Sequence, residues 1–270
     1  MLAAALFGCS LLAASQSSEC AIISVKENQG TLVADSIRPL DSIAKTLAQV
    51  YGIAVSAEEP DYQFAGDLQD ISQADLEWSA QHPGVHYKVS KRRRLQIDFP
   101  AQRDGAPQNI RELVQGIVQT ANTQLPFGFR LDVDGEFYTF VPTRTQDAKG
   151  ASIAVTPLLD RHVTILPGNR SIAASAKLMA DALSAQTGMH VSCCQSFVAG
   201  IPWGMAVVSF EAQDEPARKV LERLIRLSQT ASTVSSRYYW LLRCDSGWCF
   251  INLEHVWGGE CRDALHLQSP

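Results

Sequence analysis

Hydrophobic positions along this chain follow two rhythms, and the rhythms alternate in the same order twice. In the first half, Leu40, Ile43, Ala44, Leu47 and Tyr51 fall at the spacing of a helix with one buried face. Pro39 stands at its start, where a fixed φ suits the first turn, and Gly52 stops it. Alternation over Thr31 to Ile37 and the apolar run Ile53 to Ala57 predict strands on either side. Val85, Tyr87 and Val89 alternate, as do Leu95, Ile97 and Phe99, with Ser90-Lys91-Arg92-Arg93-Arg94 between them. That pattern predicts a strand pair with a basic tip. Ile110, Leu113, Val114, Ile117 and Val118 predict a second helix. Phe127 to Val141 predicts a hairpin about Asp134-Gly135, with Leu131 opposite Tyr138 and Phe129 opposite Phe140. The same turn, Asp132-Val-Asp134-Gly-Glu136, holds part of a calcium-loop pattern, but the strand alternation around it favours a plain hairpin.

The second half begins with an echo. Ser171 to Ser192, SIAASAKLMADALSAQTGMHVS, overlays Arg38 to Ser56, RPLDSIAKTLAQVYGIAVS. The overlay sets Ile43 on Met179, Leu47 on Leu183, Gly52 on Gly188, Val55 on Val191 and Ser56 on Ser192. His162 to Leu166 predicts a strand before this helix, with Pro167-Gly168-Asn169 as the turn. Met189 to Ser192 and Ala206 to Phe210 predict two more strands, and Pro216 opens a helix bearing Val220, Leu221, Leu224 and Ile225. Tyr238 to Arg243 and Trp248 to Leu253 form the last hairpin. The fold class is therefore α+β: two tandem β-α-β-β-α-β-β units with helices packed on small mixed sheets. The first unit spans 31–143 with an irregular insertion at 58–94, the second spans 151–257, and Thr143 to Gly150 link them. Residues before Gly30 read as a leader and the polar tail beyond Trp257 as loose.

The doubled order, with Arg38-Pro39-Leu40, Ala44, Leu47, Gly52-Ile53 and Val55 in one copy, resembles the short N-terminal domain of secretins and TonB-dependent receptors, the STN domain. In the second copy Ala180, Leu183, Thr187-Gly188-Met189, Val191 and Val198-Ala199-Gly200 carry the likeness. The resemblance implies a periplasmic module that acts by docking to other proteins and brings no catalytic residues. Neither a secretin ring nor an outer-membrane barrel follows the modules, so a free-standing adaptor is the surviving implication.

Charge and cysteines refine the picture. A net charge of −5 argues against general nucleic-acid binding. MLAAALFGCSLLAAS at residues 1–15 reads as a signal peptide, with Ala13-Ala14-Ser15 as the cleavage pattern. Leu6-Phe7-Gly8-Cys9 loosely fits a lipoprotein box, which would anchor the chain by lipid at Cys9. The chain is thus expected to be exported, to periplasm or cell surface. The remaining cysteines, Cys20, Cys193, Cys194, Cys244, Cys249 and Cys261, form an even set that favours disulfides. A two-residue turn at Ser246-Gly247 would place Cys244 opposite Cys249 at bonding distance. Cys193 or Cys194 is expected to reach Cys20, Cys261 or the hairpin pair.

Candidate chemistry is sparse. Gly-x-Ser-x-Gly and His-Glu-x-x-His are absent, and no catalytic residue, cofactor or metal is assigned. The principal reading is a non-enzymatic exported module that binds an envelope or secreted protein partner, or an envelope ligand. Phe197 and Trp203, in a Gly- and Pro-containing loop, are its candidate contacts. Lys91, Arg92, Arg93 and Arg94 are candidates for an acidic partner. One alternative is an enzyme on an envelope polymer, with acids among Glu58, Glu59, Asp67 and Asp70 near Trp78. Another is a metal site built from the cysteines with His190 or His255.

Overall fold

The computed structural model describes residues 20–60, 64–70, 80, 88–193, 204–231, 237–245, 247–256 and 259–268. Phe197, Trp203, Trp78, Cys9 and Cys194 lie outside that set. Among the described residues the architecture is mixed α+β, with four α-helices and two sheet-rich regions. The first half runs β1 (Ile22–Lys26), β2 (Gln29–Ser36), α1 (Pro39–Tyr51), β3 (Val55–Glu58), β4 (Leu68–Asp70), β5 (Lys88–Ser90), β6 (Arg93–Pro100), α2 (Ile110–Gln124), β7 (Gly128–Asp134) and β8 (Phe137–Gln146). The second runs β9 (Ser152–Ala154), β10 (His162–Ser171), α3 (Ile172–Thr187), β11 (His190–Cys193), β12 (Val207–Pro216), α4 (Ala217–Ala231), β13 (Tyr238–Asp245), β14 (Trp248–His255) and β15 (Leu265–Gln268).

The helix-stop-strand echo is built by the same device in both halves. Gly52 and Gly188 close α1 and α3 in the left-handed conformation, with φ of 69° and 71°. Each glycine turns the chain directly into β3 or β11. Those strands pair in parallel with β8 and β14 respectively, and in equivalent registers: Val55 faces Tyr138, and Val191 faces Cys249. The antiparallel neighbours match as well, Leu131 facing Phe140 and Leu242 facing Ile251. Each half also carries a long antiparallel pair, β2 with β6 and β10 with β12.

The small separate sheets expected from the sequence are instead partly fused. β13 pairs in parallel with β3, which gives one seven-stranded sheet in the order β11-β14-β13-β3-β8-β7, with β9 added on β8. Two cores lie on opposite faces of it. On β13, Tyr239 and Leu241 belong to the core under α1 and α2, whereas Tyr238, Trp240 and Leu242 belong to the core under α3 and α4. Period-two alternation makes that division possible, because a strand buried on both faces serves both cores.

Several local expectations are corrected. The β7–β8 turn is Gly135-Glu136, since Asp134 pairs with Phe137. Gly135 at the first central position has φ 60°, the conformation a type II′ turn asks of glycine. The predicted pairs shift, yet Phe129, Leu131, Tyr138 and Phe140 stay on one face because the shift is even. The basic run is not a hairpin tip: β6 pairs with β2 and β5 with β4. Beside β2, the strand buries the common face of Leu95, Ile97 and Phe99 in the core under α1 and α2. Pro167-Gly168-Asn169 continues β10 through a register irregularity, and Pro216 ends β12. Asp147 to Gly150 turns β8 back onto β9. The leader and tail are ordered against each other, with β1 and β15 in parallel at the edge of the β15-β1-β2-β6 sheet.

Disulfides hold both the ends and the final hairpin. Cys244 faces Cys249 directly, as expected, with Cα atoms 4.1 Å apart. Cys20 joins Cys261, so the expected bridges from Cys193 or Cys194 to these four cysteines do not form. Cys193 is itself disulfide-bonded. The expected N-terminal lipid anchor is also corrected: among the described residues Cys20, the first cysteine, is closed in its bond to Cys261 and carries no free thiol for a lipid, while Cys9, where the anchor was expected, lies outside them. These bonds are consistent with an oxidising, non-cytoplasmic compartment. No helix among the described residues is long and apolar enough to cross a membrane.

Candidate functional site: a charged seam between the two halves

The end of β3 delivers Glu58 and Glu59 into the line where α4 crosses the β3-β8-β7 part of the sheet. Arg218, in the first turn of α4, meets them there. A cation at a helix N-terminus is disfavoured by the helix dipole, so this arginine needs acids close by. Its Nε donates to Glu58 Oε1 at 2.6 Å, and its Nη1 donates to Asp160 and, at 3.3 Å, to Asp132. Arg130 donates to the far side of Asp160 at 2.8 Å. Arg218 and Glu58 are both buried, and Glu58 Oε2 and Arg218 Nη2 have no hydrogen-bond partner among the described residues. Burial pushes the Glu58 carboxyl upward, against the pull of Arg218.

One residue further on, Glu59 takes both its carboxylate oxygens to Arg38 Nε at 2.9 Å. Burial raises its carboxyl to about 7, with Arg38 opposing the shift. Arg243 of β13 donates to Asp41 of α1 at 2.8 Å, which fastens the second half to the first helix. At the hairpin end of the seam, Lys219 donates to Asp134 at 2.9 Å, and Arg226 stacks over the Phe137 ring at 4.9 Å. Glu222 lies buried there and hydrogen-bonds Asp134; burial first, and that bond second, raise it to about 8. The hydrogen bond from Glu222 holds the Asp134 carboxyl well below the usual range.

The space beside these groups is small. The cavity that Arg38, Glu58, Glu59, Phe127 and Phe129 line measures about 20 Å³, room for about one water. Small-molecule sites are of order 300–1,000 Å³. A larger, open groove of about 560 Å³ lies between β12 and α4, lined by Pro167, Ser209, Phe210, Arg223 and Leu227 together with Arg226 of the seam. Its Arg223 is held by Glu215 and by the Phe210 ring, 4.7 Å away.

The candidate residues are dispersed. Of the four candidate acids, Glu58 and Glu59 share the seam, whereas Asp67 pairs with Arg93 in the 58–94 region and Asp70 is exposed on β4. The basic run is divided: Arg92 reaches Asp35, Arg93 also lies 5.3 Å over the Phe127 ring, Arg94 contacts Gln96, and Lys91 is exposed. Cys20, Cys193, Cys244, Cys249 and Cys261 are in disulfides and offer no thiolate to a metal. No group of three or more metal-ligating side chains occurs among the described residues. Sequence reasoning passed over Arg218 and Asp160 and set Asp132 aside as part of a plain hairpin. The one available signal was a basic residue in the first turn of a helix, the wrong sign for that position.

Comparison with protein-family models, with curated proteins and with solved structures finds no match for this chain.

Proposed function

We propose that this chain is a non-enzymatic, exported module of two STN-like units that works by docking to another protein chain through the ends of its shared sheet. The repeated element order and the equal registers of β3–β8 and β11–β14 support reading it as one unit used twice. The observation that carries the docking reading is the sheet order: among the described residues, β7 and β11 end the seven-stranded sheet with one neighbour each. Unpaired strand edges are templates for a partner's strand. Glu58 and Glu59 favour the same reading, because they are tied to arginines around about 20 Å³ of space.

The test is capture from an envelope extract by the folded chain, with Val133→Pro on β7 as the edge-blocked control. Loss of capture in that variant is expected. Turnover of a glycan or ester that disappears in Glu59→Gln would replace this reading with acid catalysis.

A further inference from the structure

The two halves meet in a way that leaves the same meeting unfinished at both ends of the molecule. Read across the sheet, β3-β8-β7 and β11-β14-β13 have the same internal order. β3 and β8 run one way with β7 opposed, and β11 and β14 run one way with β13 opposed. Since β13 is parallel to β3, every strand of the second set is reversed relative to its counterpart. The operation relating the halves is therefore a half-turn about the axis along the sheet, combined with a shift of three strands. Applied again it does not return to the start, which makes the contact heterologous and open-ended.

The internal junction uses β13 and β3, and their counterparts are the two strands at the ends of the sheet, β7 and β11. At the junction Leu241 lies opposite Ala57, Trp240 N–H donates to Ser56 Oγ at 3.1 Å, and Glu59 N–H donates to Leu242 C=O at 2.9 Å. The equivalents are Arg130 opposite Cys193, with Phe129 N–H directed to Ser192 Oγ. Phe129 faces Pro142, which has no N–H, so the backbone groups of Phe129 and, two residues on, Leu131 point away from β8. Asn122 at present covers Phe129, accepting from its N–H at 2.6 Å and donating to its C=O at 2.9 Å.

A second observation concerns a face of the sheet. Phe137 and Thr139, on the side of β8 covered by α4, are 0% and 1% exposed. Their counterparts on β14 are Trp248 and Phe250, which are 49% and 39% exposed. Trp248 packs against His190 with the rings tilted by 55° and their centroids 4.2 Å apart, and lies nearly parallel to Phe250 at 6.3 Å, a shelf of exposed rings. The same operation that lays α4 over Phe137 lays α2 of another copy over this shelf. The buried residues of the two helices match in spacing, Leu113, Val114, Ile117 and Val118 against Val220, Leu221, Leu224 and Ile225. Arg111 then falls at the place of Arg218.

We propose that copies of this chain associate head to tail, β7 of one pairing with β11 of the next while α2 covers the Trp248–Phe250 shelf, so repeating the internal junction. This inference rests on the docking reading and names its partner as a second copy. Asp132 is matched by Arg243, which Asp41 already engages, so rings and main chain rather than arginine–carboxylate pairs hold the contact. Association is accordingly insensitive to salt.

Sedimentation velocity of the full chain, from micromolar to submillimolar concentration, tests it. Wild type is expected to give a rising ladder of species, little changed by salt. Trp248→Glu with Phe250→Glu, both exposed positions, and Leu131→Pro on the other end are each expected to remain monomeric. Mixed one to one, they are expected to form a dimer and nothing larger, because each supplies the end the other lacks. Val133→Pro serves in place of Leu131→Pro if that variant melts early. A wild type monomeric at every concentration, or a dimer to which the mixed variants do not contribute one copy each, overturns the proposal. A monomeric wild type whose end-blocked variants also lose capture of an envelope protein overturns self-association and leaves the docking reading intact.

Discussion

Arg218 is the residue on which the seam turns. Buried ion pairs add little net stability, but removing one partner strands a charge in low dielectric, at a cost of about 3–5 kcal/mol. Arg218→Met should lower stability by that amount in urea denaturation, and the double variant Glu58→Leu, Arg218→Met should recover most of it. Equal losses in the single and double variants would show that the pair matters for packing and not for charge. Glu222 gives the seam a pH dependence. Its carboxyl rises from the ordinary 4.5 to about 8 in the fold, so between those values the folded chain holds a proton that the unfolded chain has lost. Stability therefore falls as pH rises through that window. Glu58 and Glu59, also raised, act in the same direction, whereas His255, lowered by burial, acts in the opposite one. The melting temperature of wild type relative to Glu222→Gln should thus decline from about pH 5 to about pH 8. Parallel profiles would remove Glu222 from the account.

At the scale of elements, two glycines with the same open surroundings should answer oppositely to alanine. Gly116 in α2 and Gly188 at the end of α3 each have nothing within 4 Å of an added Cβ. Gly116 is helical, so Gly116→Ala should stabilise by up to about 1 kcal/mol through helix propensity. Gly188 sits at φ 71°, where a Cβ meets the backbone, so Gly188→Ala should destabilise by about 1 kcal/mol. Urea midpoints of the two variants check the pair, and a shift of the same sign in both would refute the assignment. Such local signals were readable in advance: Pro39 and Gly52 mark the two ends of α1, and Gly188 the end of α3. The β7–β8 turn was less so, because Asp-Gly fits a turn with glycine second as well as one with glycine first. Only the pairing of Asp134 with Phe137 decides between them.

For the molecule as a whole, the two chain ends are part of the fold. Cys20–Cys261 closes 241 residues and clamps β1 to the segment leading into β15. By loop-closure entropy such a bond stabilises by about 5 kcal/mol at most. Replacing both cysteines by serine should lower stability toward that limit, with β15 the first segment cut in limited proteolysis. A loss below about 1 kcal/mol would mean that the ends stay docked without the bond.

Periodicity, turn residues and cysteine spacing are local quantities, and they were enough to specify the four helices, the mixed α+β class and the Cys244–Cys249 staple. Which strand lies beside which is a different matter. The alternation of Leu95, Ile97 and Phe99 demands a neighbour without naming it, and residues near both ends gave no sign that β1 would meet β15. The union of β13 with β3, and with it the convergence of Glu58, Asp132, Asp160 and Arg218, joins residues up to 184 positions apart. Long-range pairing of that kind is settled only when two cores compete for the faces of one sheet, and burial selects the arrangement that satisfies both.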